Sequence, residues 1–270
     1  MRIRDHRLVD AAWIEARYYG PPLDTQLGLH VVAHDTAGRS AISTAQYLAD
    51  DPRGKASYHV IIEQDGGVIQ QVPFNRRAHH AGVSAHPEKP WLTGMNRCSI
   101  GVAFDNPGAL DSSGKAWFGE RYGSAEHVEH GERSGWWRPY SPAQIDTFEA
   151  LVTALDRSYG LEGVFSHYAV ATPRGRKNDT SPALEPMLQA LHHSVEPKAL
   201  DFVMPERGIV AAAGGLNLRA EPGMHGNVIN VLPLHAGLNI DPPVMANGYV
   251  MVTTDGGQTG WVHSAYLQGA

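Results

Sequence analysis

The stretch FSHYAVATPRGRKND (165–179) sets His167 and Asp179 on either side of three cations, Arg174, Arg176 and Lys177. Imidazole and carboxylate are metal ligands, and a cation beside them can neutralise charge developing on a reacting carbonyl. A solvated patch of surface ion pairs is the competing reading, and composition does not separate the two. Catalytic zinc takes three protein ligands and keeps one position open, so a third donor must come from elsewhere. His34 closes the apolar, β-branched run LGLHVVAH (27–34), where a strand would combine a rigid backbone with a reachable tip. Taken singly, each of these residues is as well explained as a structural side chain.

The elements that would position them follow from pattern. LGLHVVAH reads as a buried strand and SAISTAQYLAD (40–50) as a helix. SYHVIIEQDGGVIQQVP (57–73) holds two strand-like runs around Asp65-Gly66-Gly67, a hairpin signal. CSIGVAFD (98–105) reads as a further strand, and 106–138, rich in Gly, Ser and charge, as an ordered loop excursion that includes the HVEH of 127–130. Ser141, Pro142 and Gln144 form a helix-start signature, Ile145, Phe148, Leu151, Val152 and Leu155 mark one apolar face, and Gly160 closes the helix. VFSHYAV (164–170) is read as a strand and PALEPMLQALHH (182–193) as a weaker helix. This mixture predicts an α/β domain with a central sheet over 1–193. Residues 194–206 read as a linker, and the short β-type runs separated by Gly, Pro, Asn and Asp turns over 207–270 predict a small all-β barrel.

With 42% hydrophobic and 19% charged residues over 270 positions, the chain has the balance of a globular protein. A net charge of −6 does not favour nucleic acid or an anionic membrane as partner. No run of about 18 apolar residues predicts membrane insertion. Cys98 is the single cysteine, so neither an internal disulfide nor a thiolate cluster is expected. The first residues, MRIRDHRLVDAAWIEARYYGPP, lack the apolar core of about 7–15 residues that a signal peptide needs. Oligomeric state is not encoded in any pattern of this sequence.

Five segments occur in order: VVAHDTAGRSA, SYHVIIEQDGGVIQQVPFNRRAHHAG, NRCSIGVAFDNPG, YSPAQIDTFEALVTAL and SHYAVATPRGRKND. Together they resemble the zinc-dependent N-acetylmuramoyl-L-alanine amidases, a group shared by phage lysozyme-type amidases, muropeptide-recycling amidases and peptidoglycan-recognition proteins. The resemblance spans residues 27 to 190 and implies a central mixed β-sheet flanked by helices. It places Zn2+ on His34, His167 and Asp179, makes Lys177 and Tyr58 catalytic, and puts His80 against substrate rather than metal. The implied reaction is hydrolysis of the amide between N-acetylmuramic acid and L-alanine by zinc-activated water, with peptidoglycan or muropeptides as partners.

Three departures from the family pattern stand out. Ala103 occupies the place of a glutamate, and Asp105, two residues on, shares its face of the strand. His79 replaces a tryptophan, and Asp179-Thr180-Ser181 replaces Asp-Pro-Gly. Residues 207–268 resemble bacterial Src-homology-3-like domains, which implies cell-wall binding, with Trp261 and Tyr266 as either stacking or core aromatics. The expected setting is synthesis in the cytoplasm and action on the wall after lysis or dedicated export. The alternatives are a non-catalytic peptidoglycan-binding protein and a cytoplasmic amidase recycling anhydro-muropeptides.

Overall fold

The computed structural model describes residues 1–50, 55–195, 207–212, 214–223, 226–240, 245–246, 249–263 and 266–269. The chain divides into two compact units, Met1–Lys198 and Ala199–Ala270. In the first, a two-stranded ribbon of β1 (Ile3–Arg4) and β2 (Arg7–Leu8) precedes β3 (Ala12–Trp13). The β-branched runs then become β4 (Leu29–Asp35), β5 (Val60–Ile62), β6 (Val68–Gln70) and β7 (Ser99–Phe104), with β11 (Leu161–Ser166) added later. These six strands form one sheet in the order β11-β4-β7-β5-β6-β3. β4 runs parallel to both β11 and β7, whereas β5 and β6 pair antiparallel, so the sheet is mixed.

Strand β4 is buried along its whole length because both sheet faces are covered. On one face Val31, Ala33, Val60, Ile62, Ile100, Val102 and Phe104 pack on Phe148, Leu151, Val152 and Leu155 of α2 (Pro142–Tyr159) and on Leu188 of α4 (Glu185–Val195). On the other, Ala41 and Ala45 of α1 (Ala41–Asp50) pack on Ile61, Ile69 and Ala103. Helix α2 begins as its sequence predicts. The Ser141 side chain accepts from Gln144 N–H and the Gln144 side chain accepts from Ser141 N–H, a reciprocal cap. The same turn is tied to the β5–β6 hairpin. Ser141 Oγ donates to the Gln64 carbonyl at 2.6 Å and Thr147 Oγ1 to the Gly66 carbonyl at 3.0 Å. Gly66 has φ +86°, and a Cβ there would lie 2.9 Å from Thr147 Oγ1. Cys98 is buried, and burial pushes its thiol up to about 11.

Three expectations need correction. The 106–138 excursion is not loop throughout: β8 (Ala109–Leu110), β9 (Glu126–His130) and β10 (Arg133–Trp137) form a sheet in the order β8-β10-β9. HVEH therefore lies in a strand, one with no fully buried residue and hence no hydrophobic alternation to read. His167 is not in a strand. β11 stops at Ser166, whose side chain caps the short helix α3 (His167–Val170). Of the linker expected over 194–206, residues 194 and 195 end α4 and the rest lies outside the described residues.

The second unit is all-β: β12 (Arg207–Val210), β13 (Leu216–Arg219), β14 (Val228–Leu232), β15 (Gly237–Asn239), β16 (Met245–Ala246), β17 (Tyr249–Thr254), β18 (Thr259–His263) and β19 (Leu267–Gly269). They form one sheet in the order β14-β13-β18-β17-β15-β12-β19, with β16 paired to β17. Val210, Leu218, Leu238, Val250, Val252 and Val262 fill its core. Trp261 is buried, whereas Tyr266 is 38% exposed.

Candidate metal centre

His34 reaches the site from the end of β4, His167 from the first turn of α3, and Asp179 from the loop that follows. Their ligand atoms all lie within 4.8 Å of one another. His34 Nδ1 is 3.2 Å and His167 Nδ1 3.0 Å from Asp179 Oδ2, and the two imidazole centroids are 4.5 Å apart. Residues separated by 145 positions thus share one point.

The partners on the far side of each ring set its tautomer. His167 Nε2 lies 3.3 Å from the Ala81 carbonyl, an acceptor only, so Nε2 carries the proton and Nδ1 turns its lone pair to Asp179. His80 Nε2 faces the Ser99 carbonyl at 3.4 Å, which leaves His80 Nδ1 to accept from His34 Nε2–H at 3.0 Å. His34 Nδ1 then also offers a lone pair. Burial, and next the neighbouring His167, push His34 down to about 4, which keeps it neutral. Two lone pairs and one anion converging on a point repel each other unless a cation lies between them. This donor set fits a divalent metal ion, and hydrogen-bonded second nitrogens are the usual support of metal-binding histidines.

The triad lies beside a cavity of about 400 Å³ whose lining includes Tyr58, His79, His80, Trp117, Lys177 and Asp179. The Tyr58 ring stands 5.2 Å from that of His34, and burial raises its pKa, so the phenol keeps its proton. Lys177 is exposed at the rim. The cavity walls thus combine acceptor-rich metal donors with two proton-bearing side chains, an arrangement suited to stabilising negative charge on a carbonyl oxygen.

A family model described as N-acetylmuramoyl-L-alanine amidase matches residues 26–182, more than half of the chain. The chain belongs to the N-acetylmuramoyl-L-alanine amidase family. A bacterial SH3 domain model matches residues 214–268 of the all-β unit. The 1,6-anhydro-N-acetylmuramyl-L-alanine amidase AmpD of Citrobacter freundii is 37% identical over 67 residues, 24% of this chain and 33% of that protein. Its Escherichia coli (strain K12) counterpart is 36% identical over a stretch of the same length. The chain spans about a third of the length of these curated relatives. A crystal structure of a selenomethionine AmpD derivative shares the fold, with TM-score 0.51 and 21% identity over 73% of this chain and 99% of that one.

Within this amidase framework, Arg133, Glu185 and Tyr140, to which no motif assigns a role, hold the converging side chains in place. Arg133 of β10 donates through Nη2 to the carbonyls of Asn178 and Thr180, on either side of Asp179, and through Nη1 to Glu185 Oε1 at 2.9 Å. Ser166 Oγ donates to the same Glu185 oxygen at 2.7 Å. Tyr140 Oη donates to Asp35 Oδ1 at 2.7 Å and accepts from Ser181 N–H at 2.9 Å, joining the far end of the loop to the tip of β4. His80 is the partner of His34 as well as a lining residue, and Gly101 makes room for it: a Cβ there would lie 2.4 Å from His80 Cγ.

Ala103 pairs in register with His34 and Ile61 and packs among Ala41 and Ala45, so the sheet offers no carboxylate at that place. Asp105 does not take its role. Its carboxylate accepts from the Ala41 backbone N–H at the start of α1, and it is not part of the cavity lining.

Proposed function

We propose that the chain hydrolyses the amide between N-acetylmuramic acid and L-alanine, with Zn2+ held by His34, His167 and Asp179. The observation that carries this reading is the meeting of two imidazole lone pairs and an ionised carboxylate beside a cavity that also presents Lys177 and Tyr58. When bound, zinc supplies Lewis acidity and brings the pKa of water from 15.7 down to about 7. The protein supplies the rest. His80 and the Ala81 carbonyl hold the two ligand imidazoles in the tautomers that face the centre. The Lys177 ammonium neutralises charge on the amide oxygen, and Tyr58 Oη–H donates a hydrogen bond that orients the carbonyl. Together such groups contribute a few kcal/mol per donor where water is excluded. A family member without a complete ligand set would serve only for capture; the intact triad favours hydrolysis.

Peptidoglycan or its muropeptide fragments are the substrate class, and the SH3-like unit binds wall polymer, raising the local concentration of the site. Action is then at the cell wall, reached by lysis or a dedicated export route. A second reading, a small anhydro-muropeptide as substrate, is favoured by the local identity to AmpD. Digesting purified sacculi tests both: mass spectrometry is expected to find free stem peptides beginning at L-alanine, lost with chelator and restored by zinc. Release from soluble anhydro-muropeptides but not from sacculi would favour the second reading. Release from neither would sink the amidase assignment.

A further inference from the structure

One aromatic side chain at the mouth of the cavity is neither packed nor loose. Trp117 is 78% exposed and lines the cavity together with Lys177 and Asp179. Its Nε1–H donates to the Ala37 carbonyl at 2.8 Å, in the segment that follows β4. The tight turn that carries it is closed by Gly119 N–H to the Ala116 carbonyl at 2.8 Å and Ala116 N–H to the Glu120 carbonyl at 2.7 Å. Arg39 clamps the same turn, donating to Glu120 Oε2 at 3.2 Å and to the Phe118 carbonyl at 3.4 Å, with its guanidinium over the Phe118 ring. Exposure by itself says little: Trp91 is 73% exposed and does not line the cavity. What sets Trp117 apart is a ring fixed at its polar edge, on its backbone and by a T-shaped contact with the Phe118 ring at 5.5 Å, while most of its surface stays exposed. An aromatic surface ordered in advance loses little freedom when a ligand settles on it.

We infer that Trp117 is a stacking platform for a pyranose ring of the glycan, a sugar subsite adjoining the metal centre. This rests on the amidase reading, which requires a muramyl sugar on one side of the bond to be cut. A pyranose presents a flat array of C–H groups that matches an indole face in area and complements its negative quadrupole. The stem peptide offers no equal: alanine methyls are too small to cover the ring, and carboxylates are repelled by its face.

The test uses the full-length, zinc-loaded chain and two product-like probes, N-acetylglucosaminyl-N-acetylmuramic acid and a free stem tripeptide beginning at L-alanine. Calorimetry is expected to show Trp117→Ala weakening the disaccharide about tenfold or more while the tripeptide stays within about twofold, and Trp117→Phe falling between. Unchanged disaccharide affinity in Trp117→Ala, equal weakening of both probes, or no disaccharide binding by the parent chain would each overturn the subsite. Sacculus digestion by the parent chain separates this from the underlying reading. An active enzyme with disaccharide binding indifferent to residue 117 sinks the platform alone. An inactive chain whose disaccharide binding still needs Trp117 sinks the amidase and leaves the platform.

Discussion

His34 and Asp179 meet at one point but are held there by opposite means. His34 sits on a strand with hydrogen-bonded neighbours on both sides, fully buried, its backbone fixed by the sheet. Asp179 lies in a connecting loop and owes its position to side chains from elsewhere: Arg133 grips the carbonyls before and after it, and Tyr140 anchors Ser181. A strand-borne ligand is secured by the same ladder that makes the fold. A loop-borne side chain needs a second set of residues, here Arg133 and Tyr140 from the segment between β7 and α2.

The largest effects should divide the loop by function. Asp179→Ala is expected to lower bound zinc from one ion per chain to near none and to bring activity to background. Lys177→Ala, two residues away, should retain the ion while turnover falls on the order of 10²–10³-fold. Metal analysis beside sacculus digestion checks the pair, and zinc lost from the Lys177 variant would refute the division. Next in size, Arg133→Ala should weaken zinc affinity by about 10–100-fold in chelator competition, since outer residues that orient ligands have effects of that order. Arg133→Lys should recover only part, because a single ammonium nitrogen cannot stand where both Nη1, bonded to Glu185, and Nη2, bonded to the two carbonyls, stand. An affinity untouched by Arg133→Ala would mean that the loop stands by itself.

The strand side has its own weak point, and it is acid. His59 is neutral in the fold, its Nε2–H donating to the Arg76 carbonyl at 2.8 Å and its Nδ1 accepting from Gly101 N–H at 2.9 Å. Burial pushes it down to about 4, and burial followed by His86 pushes His30 down to about 3. Both folded-state values lie below the unfolded one near 6.5, so below that pH the unfolded chain binds more protons. Their contribution is complete above about pH 6.5 and drains away as pH falls toward about 4, each group by about 1.4 kcal/mol per pH unit. Between pH 7 and pH 5 the two together should remove about 2–4 kcal/mol, read as a lower urea midpoint. Equal midpoints at the two pH values would show that both rings charge freely in the fold.

The contrast between strand and loop also explains what could be read beforehand. β4, β7, the Asp65-Gly66-Gly67 hairpin and α2 announce themselves through β-branched runs, turn residues and a capping signature, because each is stabilised by local pattern plus burial. The three side chains whose donor atoms converge, His34, His167 and Asp179, all lie within recognisable motifs. Arg133 and Trp117 do not, since they sit in Gly-, Ser- and charge-rich sequence whose strands are half exposed and show no period. The double duty of His80 depends on Gly101, and a missing side chain leaves no trace of what fills its space. Asp105 was placed on the correct face by strand alternation, but the strand ends at Phe104 and the carboxylate turns to cap α1 instead.

The β5–β6 turn looks like the natural spot for attaching a fluorophore or an affinity tag, being a glycine-rich hairpin tip. Its bonds to Ser141 and Thr147 say otherwise: the tip is riveted to the opening turn of α2, and Gly66 has no room for even a methyl. A graft at that point would work as a lever under the helix that, with α4, covers one face of the sheet, so labels for wall-binding or imaging experiments belong elsewhere on the molecule.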